Sequence, residues 1–134
     1  MRIYDLNKDE RYIEEEELKG LLLFKRIVEW ESDKLVLEDG LVVTLETSEW
    51  DCCAGAGGSF KNVKLDAVIT DVKVGEERDV PDEDTRVSRN TITIFHNQNE
   101  IAVADMEADA GNGGYYYSVG SMVIGKLHFP FVSA

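Results

Sequence analysis

Three carboxylates at alternate positions are the first residues of this sequence whose spacing suits chemistry: Asp105, Glu107 and Asp109. In an extended strand, residues i, i+2 and i+4 point to the same side, so a strand here would carry all three on one face. Carboxylates suit Ca²⁺ or Mg²⁺, but a calcium loop starting at Asp105 would need Gly at position 110 and Glu at position 116. The sequence has Ala110 and Tyr116 there. A solvated polar face is therefore favoured over a metal site, and no cofactor is predicted.

A glycine segment followed by tyrosines comes soon after these carboxylates. Glycine adopts positive φ angles at no steric cost, and tyrosine supplies stacking area together with a hydroxyl group. On a strand beginning at Tyr115, Tyr116 would point away from the face shared by its two neighbours. We predict that this segment forms a ligand-binding surface. Its residues are Asp109, Asn112, Gly113, Gly114, Tyr115, Tyr116 and Tyr117.

Two further groups are expected to complete this surface. His96 and Asn97 lie at a turn of the neighbouring predicted hairpin, and Arg86 and Arg89 belong to a highly charged segment, residues 75–89, that is expected to be a mobile loop. A guanidinium group pairs well with phosphate. The combination predicts a binding protein, without catalytic residues, for a small nucleotide-like ligand.

The adjacent cysteines, Cys52 and Cys53, support an alternative hypothesis. A thiol at the start of a helical turn becomes more acidic, and His96 as a base oriented by Asp105 would complete a nucleophilic set. Each of these residues is common, however, and no spacing rule ties them together. A Cys/His or metal-dependent hydrolase therefore stays an alternative. The two thiols are expected to be free, because disulfide geometry does not fit a relaxed extended dipeptide.

The charge balance limits the partners. There are 27 acidic and 14 basic residues, which gives a formal net charge of −13. Such a surface repels nucleic acid and anionic membranes, so neither is expected as a direct partner. A second alternative is that the acidic surface mimics nucleic acid and binds a basic host protein such as a nuclease or polymerase. Residues 14–17 and 82–84 would then matter most.

The sequence is expected to contain neither a membrane-spanning helix nor a signal peptide. No stretch approaches the ~20 apolar residues of a membrane-spanning helix. The first ten residues lack the apolar centre of a signal peptide. The protein is therefore expected in the cytoplasm.

Hydrophobic patterning predicts a mainly β fold, either an antiparallel β-sandwich or a partly open barrel, with α+β as the alternative. Residues 1–134 are expected to form one domain, with an acidic N-terminal arm or helix over residues 1–20 and a β-rich core over 21–134. The helix is placed at 9–19, ending before Gly20. A homo-oligomer is among the expected states, because small ligand-binding β proteins often place sites between subunits.

Predicted strands cover 34–37 and 41–47, joined by the hairpin signal at Asp39-Gly40, and 91–96 and 101–105, joined by residues 97–100. Further strands are placed at 63–74, 115–124 and 127–132, the last at a sheet edge because it contains Pro130. Residues 48–59, rich in small side chains, are predicted to form a loop or a short helical turn.

Four short motifs resemble a family of small proteins encoded by bacteriophages and prophages. They are Asp51-Cys52-Cys53-Ala54, Leu65-Asp66-Ala67-Val68-Ile69-Thr70, Ile94-Phe95-His96-Asn97 and Gly111-Asn112-Gly113-Gly114-Tyr115-Tyr116. The resemblance covers roughly residues 35–125 and leaves the acidic arm outside. That family is a domain of unknown function, so the resemblance implies a viral or prophage origin and a role inside an infected bacterium, and it assigns no catalytic residue.

Overall fold

The protein is mainly β in its computed structural model, which describes residues 3–134, and the predicted fold class is confirmed. Strands account for 55% of the chain and helix for 8%, and the described residues form two sheets without a closed barrel. The elements are β1 Ile3–Tyr4, β2 Arg11–Tyr12, α1 Glu15–Leu22, β3 Ile27–Glu31, β4 Lys34–Leu37, β5 Val42–Asp51, β6 Gly55–Lys61, β7 Asp71–Val74, β8 Arg78–Val80, β9 Val87–His96, β10 Asn99–Asp109, β11 Ser118–Ile124 and β12 Leu127–Ser133.

The first sheet has the strand order β2-β12-β11-β5-β4-β3, with β1 paired to the end of β5. The second sheet has the order β6-β10-β9-β7, with β8 also paired to β9. Every pairing is antiparallel except that of β2 with β12. β2 covers only Leu127 and His128 of β12, so Pro130 still lies on a free edge, as its missing N–H requires.

Both predicted hairpins are confirmed. β4 and β5 pair around Gly40, whose φ of +87° is the left-handed conformation that such a turn requires. β9 and β10 pair from Asn99 opposite His96 to Asp109 opposite Val87, which makes this hairpin longer than predicted. The β9–β10 pairing is the longest ladder of the second sheet. Its register determines which side chains lie on each face of that sheet.

The core lies where the two sheets and α1 meet. On β10, the side chains at even positions from Ala102 to Ala108 are fully buried, whereas those at odd positions from Asp105 to Asp109 face outward. The opposing contributions come from α1 and from strands of both sheets. They include Leu18, Leu22, Leu35, Leu37, Ile92, Ile94 and Met122.

The predicted helix at residues 9–19 is wrong in its position. Residues 11–12 form β2 instead, and α1 runs from Glu15 to Leu22 with Gly20 inside it. Leu18 and Leu22, four residues apart on one helix face, are completely buried. Their burial outweighs the cost of a glycine within the helix, roughly 1 kcal/mol relative to alanine.

Three boundary predictions are also wrong. Residues 48–59 do not form one loop, because β5 continues to Asp51, β6 begins at Gly55, and only residues 52–54 form a turn between them. The strand predicted at 63–74 is confined to Asp71–Val74, and the segment 75–89 contains β8 and the start of β9. In each region, pairing with a neighbouring strand decides the structure more than local composition does.

Gly58 gives a direct test of the contact between β6 and β10. A Cβ atom at Gly58 would lie 2.2 Å from the carbonyl oxygen of Asp105, whereas one at Gly57 would meet nothing within 4 Å. We therefore expect Gly58→Ala to lower the free energy of unfolding by roughly 1–3 kcal/mol, the usual range for overpacking. Gly57→Ala, the matched control, should change it by less than about 0.5 kcal/mol. Equal effects of the two variants in urea denaturation would contradict the close contact.

Candidate functional site

A groove of about 530 Å³ lies on the outer face of the second sheet, over β6, β10 and β9. The strand register determines its composition, because Gly57, Glu107 and Arg89 lie directly opposite one another in one row, and Asp105 lies opposite Ser59 in the next. Residues opposite each other share a face of the sheet. The lining comprises Gly55, Ala56, Gly57, Gly58, Ser59, Arg89, Asp105, Glu107 and Asp109.

The three carboxylates share one face, as the alternation predicts, but basic groups and a backbone amide engage them. Asp105 Oδ2 lies 2.9 Å from Lys61 Nζ and 3.6 Å from a terminal nitrogen of Arg89. Glu107 Oε2 lies 3.7 Å from Arg89 Nε, and Asp109 Oδ1 accepts a hydrogen bond from the Gly111 N–H at 3.0 Å. Within residues 3–134, no group of three or more His, Cys, Asp or Glu is arranged to hold a metal ion.

Two polar atoms of the groove are buried without a hydrogen-bond partner among the described residues: Arg89 Nε and Asp105 Oδ1. One is a donor and the other an acceptor. An unsatisfied buried polar atom costs about 1–3 kcal/mol, so native proteins supply a partner in most cases. Both atoms are inaccessible to solvent in this structure, and Arg89 Nε lies 3.7 Å from Glu107 Oε2, so a ligand would reach this donor and this acceptor only after the two side chains move.

The predicted glycine–tyrosine surface lies beyond the Asp109 end of this groove. Gly111, Gly113 and Gly114 have positive φ angles and fold the chain into a short turn. A Cβ atom at Gly114 would lie 3.2 Å from Cγ of Arg86, so this arginine lies next to the turn. Asn112 is exposed on the same turn.

The predicted strand for the tyrosines is wrong, because β11 begins only at Ser118. The hydrogen bond from the Tyr116 N–H to the carbonyl of Ala110, 2.7 Å, bends the chain here. The three side chains therefore diverge. Tyr115 is 86% exposed, Tyr116 covers Gly111, and the Tyr117 hydroxyl lies 3.4 Å from Glu49 Oε1.

His96 and Asn97 are not brought to this surface. They lie at the turn between β9 and β10, whereas Asp109 lies at the opposite end of β10, about 30 Å away for a strand of this length. His96 Nδ1 is instead 2.8 Å from the Val68 carbonyl oxygen. The thiol–imidazole set proposed for a hydrolase is likewise not assembled, because Cys52 lies near the Asp109 end.

The expectation of two free thiols is wrong in this structure, which pairs Cys52 with Cys53 as a disulfide. The sequence argument assumed an extended dipeptide, whereas Cys52 has a φ of +38° in the tight turn between β5 and β6. The backbone of Cys53 also contacts the Gly111 turn, since a Cβ atom at Gly111 would lie 3.1 Å from it. The cysteines are thus part of the same end of the molecule as Arg86.

A family model for a domain of unknown function, DUF7448, matches residues 20–123. The chain belongs to this family. The match includes the groove, the glycine turn and the cysteine turn, and it excludes the N-terminal strands β1 and β2. No curated protein and no solved structure matches the chain. Among the described residues, no helix has the length and apolar character needed to cross a membrane.

Sequence reasoning missed a buried polar network beneath the N-terminal segment. His128, only 3% exposed, contacts Glu10 Oε2 through Nε2 at 2.6 Å and Ser48 Oγ through Nδ1 at 2.7 Å. Ser48 also donates to Ser121 Oγ at 2.6 Å. An acid–imidazole–serine array can activate a nucleophile, but Ser48 is itself only 3% exposed and a substrate has no access to it. The array instead links residue 10 to the first sheet.

Tyr12 lies beside this network and gives a pH test. The pKa of Tyr12 is raised well above its ordinary value, first because burial disfavours the phenolate and second because the hydroxyl donates to the Glu49 carboxylate. The unfolded chain loses this proton near pH 10, whereas the folded protein keeps it, so stability should fall as the pH rises above about 10. Tyr12→Phe should make that fall shallower, although it lowers stability at neutral pH.

The measurement is urea denaturation between about pH 8 and 11. Tyr115→Phe serves as the control, because the Tyr115 side chain is 86% exposed. It should keep the alkaline slope of the unaltered protein. A slope for Tyr12→Phe equal to that of the unaltered protein would show that the Tyr12–Glu49 contact does not hold the proton.

Proposed function

We propose that this protein is a non-enzymatic binding protein that sequesters a small nucleotide-like ligand in the groove of the second sheet. The observation that carries the proposal is the unsatisfied pair in the groove, Arg89 Nε as donor and Asp105 Oδ1 as acceptor. A ligand that presents an acceptor next to a donor would satisfy both atoms at once. The Watson–Crick edge of a nucleobase has this pattern, and proteins read flipped bases through it.

The remaining lining of the groove suits the rest of such a ligand. Gly57 and Gly58 are exposed on β6, and the space beside Gly57 is open. A flat ring can therefore approach the backbone closely. Glu107 is exposed and Asp109 is half-buried, so their oxygens can accept hydrogen bonds from ribose hydroxyl groups.

A phosphate group would be held at the end of the groove by Arg86. Arg86 is exposed beside the glycine turn, beyond the Asp109 end of the groove, and it does not line the groove itself. Its long side chain would have to reach back past Asp109 to contact the phosphate of a nucleotide whose base contacts Arg89. Arg89 itself is engaged by Asp105 and Glu107, so it is less suited to phosphate.

The resemblance of four sequence motifs to phage and prophage proteins motivates the biological role that we propose. We suggest that the protein acts in the cytoplasm of an infected bacterium and removes a nucleotide signal that the host uses in its defence. A binding protein suits this role because sequestration needs affinity and no turnover. The high negative charge is consistent with a ligand that is held locally by Arg86, Arg89 and neutral backbone rather than by a broad basic surface.

The test of this proposal uses variants that fill the groove. Gly57→Leu places a side chain into the open space beside Glu107 and Arg89, so it should abolish ligand binding while the fold survives. The matched control is Gly20→Leu, which adds the same side chain to an exposed position of α1 with nothing within 4 Å. Both proteins are purified from infected cells and denatured, and the released small molecules are identified by mass spectrometry.

We expect an intact nucleotide-like ligand from the unaltered protein and from Gly20→Leu, and none from Gly57→Leu. Asp105→Asn should also lose it, because the side chain can then offer a donor where the ligand offers a donor. Recovery of the same ligand from Gly57→Leu would place the binding site elsewhere. A hydrolysed product in place of an intact molecule would favour the hydrolase alternative.

A second candidate function rests on the acidic segment around β8. Glu76, Asp82, Glu83 and Asp84 are exposed and form no ion pair with any described residue. By contrast, two of the four acids at 14–17 pair with basic groups, Glu15 with Lys19 and Glu17 with Arg11. The uncompensated segment favours the hypothesis of a nucleic-acid mimic that binds a basic host protein.

This second function predicts strong salt dependence. Exposed charges are screened over about 8–10 Å at physiological ionic strength, so the affinity for a nuclease or polymerase partner should fall steeply between low and high salt. Replacing Asp82, Glu83 and Asp84 by Asn or Gln should weaken binding more than replacing Glu14, Glu15 and Glu16 by Gln. Affinity measured by calorimetry that does not change with salt would exclude mimicry.

A further inference from the structure

A second cleft, of about 470 Å³, lies over β5, β11 and β12 of the first sheet and extends to Glu77 and Asn90 beside the edge of β12. Its floor is a row of residues directly opposite one another: Glu49 on β5, Val119 on β11 and Ser133 on β12. Such residues present their side chains on the same face. Val119 lies in the middle of the row and is half-buried, so the floor of the cleft between β5 and β12 is apolar.

One end of this cleft holds a carboxylate without a cation. Glu49 accepts hydrogen bonds from two phenol groups, the hydroxyl of Tyr12 at Oε2 and that of Tyr117 at Oε1. Within residues 3–134 it forms no ion pair. The phenols fix the orientation of the carboxylate and leave its negative charge uncompensated.

The other end holds a second carboxylate. Glu77 lines the cleft and accepts a hydrogen bond from the Ser133 N–H through Oε1, and it too has no ion pair in the described part of the chain. The backbones of Glu49 and Ser133 are two inter-strand spacings apart, about 10 Å. Two carboxylates that have no ion pair among the described residues therefore line the same cleft, with Val119 in the row between Glu49 and Ser133.

We propose that this cleft binds an aliphatic diamine of the polyamine class. One ammonium group pairs with Glu49 and the other with Glu77, and the methylene chain between them covers Val119. Each ammonium–carboxylate hydrogen bond is about 2.8 Å long, so a short alkyl chain fills the remaining span. The cleft lies on the first sheet and shares no lining residue with the groove of the second, so this proposal is independent of nucleotide binding.

The apolar floor distinguishes this cleft from the other acidic parts of the protein surface. Exposed acids in water attract a diffuse layer of cations, which is screened and does not select the length of a ligand. Two anchored carboxylates separated by Val119 favour a ligand with two charges and an apolar middle. Selectivity for that pattern is the property to measure.

The experiment is a titration of the full chain followed by NMR of the backbone amides at constant ionic strength. The probes are 1,4-diaminobutane, butylamine and 1,4-butanediol. We expect the diamine to shift the amides of Glu49, Val119 and Ser133, and to bind at least about fivefold more tightly than butylamine. The uncharged diol should cause no shift at these amides. Equal affinities of diamine and butylamine would overturn the proposal.

Matched variants separate the cleft from the general charge. Glu49→Gln and Glu77→Gln should each weaken diamine binding by about fivefold or more. Glu46→Gln removes the same charge from the same strand at an exposed position outside the cleft and should have no effect. A loss of affinity in Glu46→Gln equal to that in Glu49→Gln would show a diffuse cation layer only, and an unchanged affinity in Glu77→Gln would refute the two-headed geometry.

A last probe separates two sources of an alkylammonium group. Nα-acetyl-lysine amide imitates a lysine side chain of a partner protein. It should bind more weakly than the diamine, because it carries one charge. Binding as tight as that of the diamine would assign the cleft to a protein lysine and overturn the diamine proposal. Thermal melting by circular dichroism confirms that every variant is folded before its affinity is compared.

Discussion

Buried and outward-facing side chains alternate along β10, which pairs with β6 on one side and β9 on the other. The rest of the structure depends on this alternation. Ala102, Ala104, Met106 and Ala108 are essentially inaccessible on one face, and the outward face at the same end of the strand carries three carboxylates. A register slip of one residue would move those carboxylates into the core. The same ladder therefore specifies both the apolar contact with the first sheet and the rim of the groove.

The small residues of β6 follow from this constraint. Gly58 lies so close to β10 that a Cβ atom would overlap the Asp105 carbonyl, and Gly57 leaves open the space that becomes the groove. Glycine within a strand normally weakens it and marks a close approach of backbone or ligand. In β6 the two adjacent glycines serve these two purposes separately, because Gly58 allows the close approach to β10 and Gly57 leaves the groove open.

The negative charge is distributed in two physically different ways. In the groove, Lys61 and Arg89 engage Asp105 and Glu107, so the site offers hydrogen-bonding edges more than net charge. In the cleft of the first sheet, tyrosine hydroxyl groups hold Glu49 without neutralising it. The ligand chemistry that each surface favours differs accordingly, although both belong to a chain with a net charge of −13.

Much of the fold could be predicted from local signals. The turn at Asp39-Gly40, the hairpin of β9 and β10 and the shared face of Asp105, Glu107 and Asp109 all depend on neighbours in sequence. β6 could not be predicted in this way, because its small residues become a strand only through pairing with β10. The divergence of the tyrosines likewise depends on a backbone bond from Tyr116 to Ala110.

The candidate site shows the same division. The shared face of the three carboxylates follows from alternation, but sequence reasoning assigned Arg89 to the glycine–tyrosine surface, whereas it lines the groove with the carboxylates and only Arg86 lies by the glycine turn. His96 and Asn97 lie the full length of β10 away from the glycine turn. The sequence did not show this separation, because the predicted β9–β10 hairpin was too short. The contacts of His128 with Glu10 and Ser48 join residues far apart in sequence, so no local sequence pattern predicts them.

The parallel pairing of β2 with β12 bears on how the protein folds during its synthesis. Tyr12 of β2 lies beside His128 of β12. β2 is translated long before β12, so the two strands can pair only after β12 has been synthesised. Until then β2 lacks its pairing strand and the Glu10 carboxylate lacks His128, while the β9–β10 hairpin, whose contacts are local, can already form. The second sheet can therefore form while the chain is still being synthesised. Pairing of β2 with β12 is then a late step, which takes place only when the first sheet is complete.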